Sequence, residues 1–167
     1  MGLNNVLYSK EVLGLNRQPF TQYKIRTMRP DADRDLETTL SKETDGFGKL
    51  VDDPRITPWG KYLRKYWLDE LPQLYNLLKG DMALIGVRPR TEVEWTKYPE
   101  NLKQRALQFR PGLIGVNYSN ADSKDFRGHL RTHQMYLRKK RIAPLYVDMI
   151  YFFRIIKNIL FEGVRSR

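Results

Sequence analysis

The sequence predicts an α+β fold, a mostly helical single domain with a short β-hairpin or small sheet. Its 167 residues, 41% of them hydrophobic, are enough for one core and too few for two comfortable domains. The segment at 20–28 alternates and is rich in β-branched and aromatic residues, which is typical of a strand. Apolar residues then recur at helical spacing at 58–78 and at 145–161.

The strand predicted at 20–28 has a period of two, which places Lys24 and Arg26 on one face. The next segment, 31–37, is acidic and permits a helix. Residues 38–53 are polar, contain glycines and lack an apolar period, so we expect a mobile loop there that orders on binding.

Thr57 and Pro58 predict the start of a helix, because a Thr hydroxyl can cap the N-terminus and Pro loses no hydrogen bond at the first helical position. We expect this helix to run to about Leu68. Four aromatic residues follow its spacing, and burial in the core is the default interpretation, ahead of a belt at an interface: Trp59, Tyr62, Tyr66 and Trp67.

A second helical series runs as far as the stop signal at Lys79 and Gly80. Pro72 lies between the two series and marks either a fresh helix start or a kink. Asp69 and Glu70 stand at this discontinuity.

Two more helices are predicted, at 92–109 and at 145–161. In the second, Arg154 and Lys157 fall on one side while apolar residues cover much of the rest, which fits an amphipathic interfacial helix. A buried core helix would show the same pattern. The basic cluster at 138–141 favours a membrane surface, because anionic lipid attracts polybasic segments.

The composition narrows the class of partner. Thirty Lys and Arg against nineteen Asp and Glu give a formal charge of +11, which favours phosphates, nucleic acid or acidic lipid. The absence of Cys excludes disulfides and thiolate metal sites. No window reaches the roughly 18–20 apolar residues that cross a bilayer, so we expect that the chain does not span a membrane. The last quarter of the chain is what favours contact with a membrane surface.

Two adjacent carboxylates at a helix break, Asp69 and Glu70, are followed within 20 residues by Arg88 and Arg90. This combination suits phosphoryl transfer, in which a carboxylate attacks phosphorus or holds Mg²⁺ while guanidinium groups neutralise the phosphate oxygens. Acidic residues at a helix start also stabilise the helix dipole and need no other role. The residues alone leave both interpretations open.

His129 and His133 have the i, i+4 spacing with which a helix can bind zinc. No Glu follows the first His and no third ligand is evident, so we expect a surface or packing role.

An ordered series of motifs distinguishes the catalytic interpretation of the dyad from the structural one. The series is Lys24-Ile25-Arg26-Thr27-Met28, Asp53-Pro54-Arg55-Ile56-Thr57, Leu68-Asp69-Glu70-Leu71-Pro72-Gln73-Leu74, Lys79-Gly80-Asp81-Met82, Arg88-Pro89 and Arg110-Pro111-Gly112. With these elements the chain resembles the bacterial sugar transferases that are monotopic polyprenyl-phosphate phosphoglycosyl transferases. The resemblance covers about residues 8–161.

The resemblance implies a sugar-transferase catalytic domain over 1–167 that moves sugar-1-phosphate from a nucleoside-diphosphate sugar to a polyprenyl phosphate. It implies Asp69 as the nucleophile of a covalent phosphosugar intermediate, with Asp69 and Glu70 near Mg²⁺. Six basic residues are the implied phosphate and nucleotide-sugar ligands: Lys24, Arg26, Arg55, Arg64, Arg88 and Arg110. The implied location is the cytoplasmic face of the inner membrane, on anionic lipid, and no nucleic acid is expected as a partner.

The chain departs from the family pattern in places. The hydrophobic membrane-dipping helix that usually precedes position 8 is not in this sequence, residues 117–121 replace the usual Gln-Val-x-Gly-Arg, and His133 stands where Asp is usual. These changes keep two alternatives in view. One is a catalytically silent relative that serves as a membrane-bound scaffold or regulator, and the other is a basic nucleic-acid-binding module, which leaves the dyad unexplained.

Overall fold

A β-hairpin opens the part of the chain that the computed structural model describes, which comprises residues 6–30, 32, 53–120 and 125–162. Strand β1 (Leu7–Leu13) pairs antiparallel with β2 (Pro19–Ile25) across a 3₁₀ turn. This confirms the predicted hairpin, but β2 ends three residues before position 28. Beyond β2 the chain leaves β1, because Met28 bridges to Ile56 instead.

Two predicted segments fall largely outside the described residues. Of the mobile loop expected at 38–53 only Asp53 is described, and of the acidic segment at 31–37 only Ala32.

Helix α1 (Pro58–Lys65) begins as predicted, with the Thr57 hydroxyl accepting the Gly60 N–H at 3.0 Å. It packs directly on the backbone after β2, since a Cβ on Gly60 would lie 2.1 Å from the Thr27 carbonyl oxygen. The helix ends at Lys65 rather than Leu68, because Trp67 adopts a left-handed backbone conformation (φ 55°, ψ 17°).

Most of the aromatic residues in α1 and directly after it are not core residues, so that default interpretation was wrong for three of the four. The solvent-exposed side chains are Trp59, Tyr62 and Tyr66. A helix of only eight residues that is anchored to the hairpin at Gly60 leaves most of its surface in solvent.

A 3₁₀ turn at Leu68–Glu70 follows, and then helix α2 (Gln73–Lys79) begins directly after Pro72. Gly80 ends α2 with φ 85°, the left-handed conformation that glycine adopts without steric cost. Pro72 therefore marks a fresh helix start, and the dyad lies in the short turn between the two helices.

Strands β3 (Ala83–Gly86) and β4 (Gly112–Gly115) form a two-stranded parallel sheet. A Cβ on Gly112 would lie 2.1 Å from the Gly86 nitrogen, so the two backbones touch where the strands meet. This contact sets the distance between β4, which contains Leu113, and the segment that leads from β3 to Arg88.

The single helix predicted at 92–109 was wrong. The structure has two short helices, α3 (Glu92–Trp95) and α4 (Glu100–Ala106), with Pro99 between them. Proline has no N–H to continue the helical ladder, and it disfavours the helical conformation at the residue before it.

After a 3₁₀ turn at Val116–Ser119, helices α5 (Phe126–Lys140) and α6 (Pro144–Phe161) pack on the parallel sheet and on each other. Helix α6 confirms the prediction at 145–161. The core lies between these elements and contains, among others, Ile85, Trp95, Leu102, Val116, Tyr136, Tyr151 and Ile155.

Helix α6 is both a core helix and an amphipathic one. It buries Val147, Tyr151 and Ile155 but leaves much of its apolar surface in solvent, with Phe153 63% and Leu160 70% exposed. Among the described residues, no helix combines the length and the apolar character that crossing a bilayer requires.

Candidate active site

The dyad turn is positioned by a network of buried amides between α2 and the hairpin. Gln22 on β2 donates to the Gln73 side chain at 2.9 Å. Asn76 donates to the Thr21 carbonyl at 2.8 Å and accepts the Tyr23 N–H at 3.4 Å. These bonds hold the start of α2, and so the preceding turn, against β2.

Glu70 is clamped by two cations. Arg88 donates to both carboxylate oxygens, through Nη1 to Oε2 at 2.6 Å and through Nη2 to Oε1, and Lys24 Nζ lies 3.4 Å from Oε1. Arg88 Nη1 also donates to the Leu113 carbonyl at 2.8 Å, which ties the pair to β4. Three distant segments therefore meet at one carboxylate.

The electrostatics of this cluster favour the charged forms of Glu70 and Arg88 but not that of Lys24. Burial alone would raise the pKa of Glu70, but the charges and hydrogen bonds of Arg88 and Lys24 outweigh it and lower that pKa. For Arg88, burial acts to lower the pKa and Glu70 more than offsets it. The pKa of Lys24 is lowered, chiefly by its burial.

Asp69 is buried, with 8% of its surface exposed, yet its environment differs from that of Glu70. Within the described part of the chain, no other side chain donates a hydrogen bond to its carboxylate or pairs with it. Burial is the largest influence on Asp69 and raises its pKa, while the charges of Lys24 and Arg64 oppose the rise. Asp69 is thus the desolvated carboxylate of the dyad, without a side-chain partner among the described residues.

Arg64 is held near the dyad on the last turn of α1. Its Nε donates to the Thr27 hydroxyl at 2.9 Å, and its charge acts on both Asp69 and Asp53. Burial lowers the pKa of Arg64. With Lys24 and Arg88 it makes three cations around the two carboxylates.

Arg55 occupies a different position. Its Nε and Nη2 donate to the two oxygens of Asp53 at 2.9 and 2.7 Å, and its backbone N–H donates to the same carboxylate at 3.0 Å. The hydrogen bond from Arg55 lowers the pKa of Asp53. Arg55 is therefore engaged in a turn, next to Arg64 rather than in contact with the dyad.

The remaining two basic residues do not join the cluster. Arg26 lies with its guanidinium 5.7 Å from the centre of the Tyr8 ring, and Tyr8 pairs in register with Lys24. Lys24 and Arg26 thus share a face, as period two predicts. Arg110 is exposed and lies beside Gly80, at the end of α2 opposite to the dyad.

The donor set suits Mg²⁺, which takes one or two protein carboxylates and completes its shell with water and substrate phosphates. Asp69 offers oxygens that no side chain among the described residues occupies. Both oxygens of Glu70 already face Arg88, so Glu70 would contribute mainly as a neighbouring negative charge. Across the described residues no group of three or more possible metal-binding side chains occurs.

The two histidines of α5 are packing residues. Their rings lie 4.1 Å apart, His129 Nε2 is 3.3 Å from Arg90 Nη2, and His133 is fully buried. Burial holds the pKa of His133 well below its ordinary value.

Two features of the site have no clear signal in the sequence. The first is the buried amide network. A sequence pattern of polar and apolar residues would place its members at the surface: Gln22, Gln73 and Asn76. Trp67 and Tyr118, 51 positions apart in the chain by their numbers, meet edge to face at 5.9 Å between ring centres and line a cavity beside Glu70.

Comparison with known proteins shows extensive similarity. The family model of the bacterial sugar transferases matches residues 2–162. The galactosyl transferase CpsE of Streptococcus agalactiae is 46% identical over 112 residues, which is 66% of this chain and 25% of that protein. The undecaprenyl-phosphate galactose phosphotransferase of Salmonella typhimurium is 32% identical over 161 residues, 92% of this chain and 33% of that protein.

A putative undecaprenyl-phosphate N-acetylgalactosaminyl 1-phosphate transferase of Bacillus subtilis is 38% identical over 119 residues. That match covers 71% of this chain and 62% of the relative. The chain therefore spans only a part of these relatives, from about a quarter to under two thirds of their length.

Proposed function

The chain belongs to the bacterial sugar transferase family, and we propose that it transfers sugar-1-phosphate from a nucleoside-diphosphate sugar to a polyprenyl phosphate. Two relatives are named for transfer involving undecaprenyl phosphate, which supports an acceptor of this class. The product would be the first lipid-linked intermediate of a glycan or exopolysaccharide. A relative named as an exopolysaccharide production protein supports that assignment.

The observation that carries the proposal is the inequality of the two carboxylates. Glu70 is fixed by Arg88 and Lys24, whereas Asp69 is buried without a side-chain partner among the described residues. A desolvated carboxylate beside fixed cations is suited to attack an electrophilic phosphorus.

In the first step, an oxygen of Asp69 attacks the sugar-linked phosphorus of the donor. The bond from this phosphorus to the bridging oxygen breaks, and nucleoside monophosphate leaves with the electron pair. In the second step, a phosphate oxygen of the polyprenyl phosphate attacks the same phosphorus and displaces Asp69. The product is a polyprenyl-diphosphate sugar, and the carboxylate is regenerated.

Charge stabilisation falls to residues that the fold already orders. Arg88 is held by Glu70 and the Leu113 carbonyl, and Arg64 is held by Thr27, so neither has to reorganise as negative charge shifts on the phosphate oxygens. Mg²⁺, held by Asp69 and the nearby charge of Glu70, would neutralise substrate phosphate when bound.

We place the reaction at the cytoplasmic face of the inner membrane, where a nucleotide donor and a lipid acceptor can meet. The exposed apolar surface of α6 and basic residues beside it, among them Arg154 and Lys157, support contact with anionic lipid.

The test is a donor assay without acceptor. The chain is incubated with Mg²⁺ and a panel of nucleoside-diphosphate sugars that carry label in the sugar, and both protein-bound label and released nucleoside monophosphate are measured. We expect both signals with at least one donor and neither with Asp69→Asn. Asp125→Asn is the matched control, because Asp125 caps α5 at the surface and Asn caps a helix equally well.

Absence of label and of monophosphate with every donor would contradict the proposal and favour the catalytically silent relative. Full activity of Asp69→Asn would contradict the assignment of the nucleophile.

A further inference from the structure

A small cavity of about 220 Å³ opens directly beside the clamped Glu70. Glu70 and Arg88 are the charged residues in its lining, and the remaining wall is apolar or aromatic. The wall includes Trp67, Leu71, Leu113, Ile114, Tyr118 and Ile159. Its size suits a short branched hydrocarbon segment and far exceeds that of one water molecule.

The aromatic side of this cavity is held in a costly conformation. Trp67 has φ 55° and ψ 17°, a left-handed backbone conformation that bulky residues rarely adopt. Its ring packs edge to face on Tyr118, whose carbonyl accepts a hydrogen bond from Asn158 of α6 at 3.0 Å. Such strain is typical of residues placed for function.

The apolar wall continues out of the cavity. Leu71, directly after the dyad turn, and Leu74 of α2 line it and are about half exposed, at 51% and 46%. On the other side Ile159 lines it, and the next residue of α6, Leu160, is exposed. An apolar path therefore runs from the Glu70–Arg88 pair to the surface.

We propose that this cavity receives the first isoprenoid segment of the acceptor, with Trp67 and Tyr118 as its aromatic wall. The proposal rests on the function proposed above and adds the surface that recognises the lipid. A polyprenyl phosphate joins an anionic end directly to a branched hydrocarbon. The site likewise presents the cation Arg88 directly beside an apolar wall, and Lys24 approaches the same Glu70 carboxylate at 3.4 Å.

The sugar of the donor fits this wall less well. Its hydroxyl groups would lose hydrogen bonds to water and find few partners along apolar side chains, which costs free energy for each unpaired group. Binding of the hydrocarbon, in contrast, is favoured by the free energy of burying its apolar surface there.

Tryptophan fluorescence gives a readout that does not depend on activity. Of the three tryptophans, Trp59 is exposed and Trp95 is buried in the core, so Trp67 is the one that lines the cavity. We expect farnesyl phosphate to change the emission saturably, and inorganic phosphate to leave it unchanged. Trp67→Phe should abolish the change.

Three variants place the binding in the cavity. Ile114→Phe fills the cavity and Leu71→Phe narrows its rim, while Val93→Phe adds the same side chain at an exposed position of α3. We expect the two cavity variants to bind farnesyl phosphate about tenfold more weakly and Val93→Phe to bind it normally. Leu71 is half exposed, so a larger side chain there should not prevent folding. The test therefore stays decisive even if Ile114→Phe fails to fold.

Normal binding of farnesyl phosphate by Leu71→Phe would overturn the proposal. An emission change at Trp67 caused by the sugar donor, with none from farnesyl phosphate, would overturn it in favour of a donor subsite. Failure of the proposed function can be told apart from failure of this proposal. The first would appear as no release of nucleoside monophosphate from any donor, whereas the farnesyl phosphate titration tests the binding site by itself.

Discussion

Arg88 donates hydrogen bonds to both carboxylate oxygens of Glu70, and Lys24 approaches the same carboxylate from the hairpin. The pair makes Glu70 a fixed counter-charge rather than a free base. Asp69, one residue earlier, has no such partner among the described residues. The two adjacent acidic residues therefore differ in environment: Glu70 holds the cations in place, and Asp69 is the one we propose as the nucleophile.

Neutralising Glu70 should destabilise the fold, whereas neutralising Asp69 should not. Glu70→Gln leaves Arg88 and Lys24 buried without their counter-charge, and loss of one partner of a buried pair costs about 3–5 kcal/mol. Asp69→Asn removes a buried charge that lacks a side-chain partner and should leave the free energy of unfolding unchanged or raise it. Urea unfolding at neutral pH measures both, and equal loss of stability in the two variants would contradict this difference.

The pH dependence of stability follows the two pKa shifts. The pKa of Glu70 is lowered, so its stabilisation is present above its ordinary pKa and is lost as pH falls through the folded value. The pKa of Asp69 is raised, so its contribution is present below its ordinary pKa and is lost as pH rises through the folded value.

The first chemical step should depend on ionised Asp69. We expect the rate of monophosphate release to fall as pH is lowered through the raised pKa of Asp69, above its ordinary value of 3.8. Single-turnover release measured across acidic pH, with folding monitored by circular dichroism, tests this. A rate that stays constant until the protein unfolds would contradict a role for the Asp69 carboxylate.

Arg88→Lys should reduce the rate of donor cleavage by about a hundredfold, the usual effect of removing one fixed donor from a site of charge development. Lysine keeps the charge but cannot hold both oxygens of Glu70 and the Leu113 carbonyl at once. Arg127→Lys, an exposed position on α5, is the control. Equal rates in the two variants would show that the bidentate geometry is not needed.

Gly60→Ala tests the contact between α1 and the hairpin. The added methyl group would lie 2.1 Å from the Thr27 carbonyl oxygen, so the helix must shift, at a cost of about 1–3 kcal/mol. Gly128→Ala, in the first turn of α5, adds a helix-favouring residue and should be neutral or stabilising. Thermal unfolding compares the two, and an unchanged melting temperature for Gly60→Ala would contradict the close packing.

Membrane contact through α6 predicts a specific loss of vesicle binding. The double variant Phe153→Asp and Leu160→Asp removes two exposed apolar groups, each worth about 1.5–3 kcal/mol when buried, so binding should fall more than tenfold. Val93→Asp is the control, since Val93 is equally exposed on α3. Co-sedimentation with phosphatidylglycerol vesicles measures binding, and equal retention of the double variant and the control would contradict the contact.

Local signals in the sequence were enough for several elements of the fold. Thr57 and Pro58 predicted the start of α1, Pro72 predicted the break at the dyad, and the spacing at 145–161 predicted α6. Each signal acts within a few residues, because a capping bond or a missing N–H is decided locally. Pro99 is a local signal of the same kind, and it divides the segment 92–109 into two helices. The helical spacing of apolar residues in that segment had suggested one continuous helix instead.

The site could be predicted only in part. The dyad and Arg88 were named from their motifs, but the clamp of Arg88 on Glu70 depends on how β3, β4 and the dyad turn meet in three dimensions. The left-handed conformation of Trp67 has no local signal, since a bulky residue there is held by its surroundings. The separation of Arg110 from the cluster likewise depends on packing.

The clamp also has a kinetic consequence, because Lys24 and Glu70 are 46 residues apart in the chain. Closing so long a loop is entropically costly, so the reactive centre should be completed late in folding, after local helices have formed. Partial opening of the hairpin would dismantle the centre while α5 and α6 stay folded. Amide hydrogen exchange in β2 should therefore track loss of turnover more closely than exchange in the helical core does.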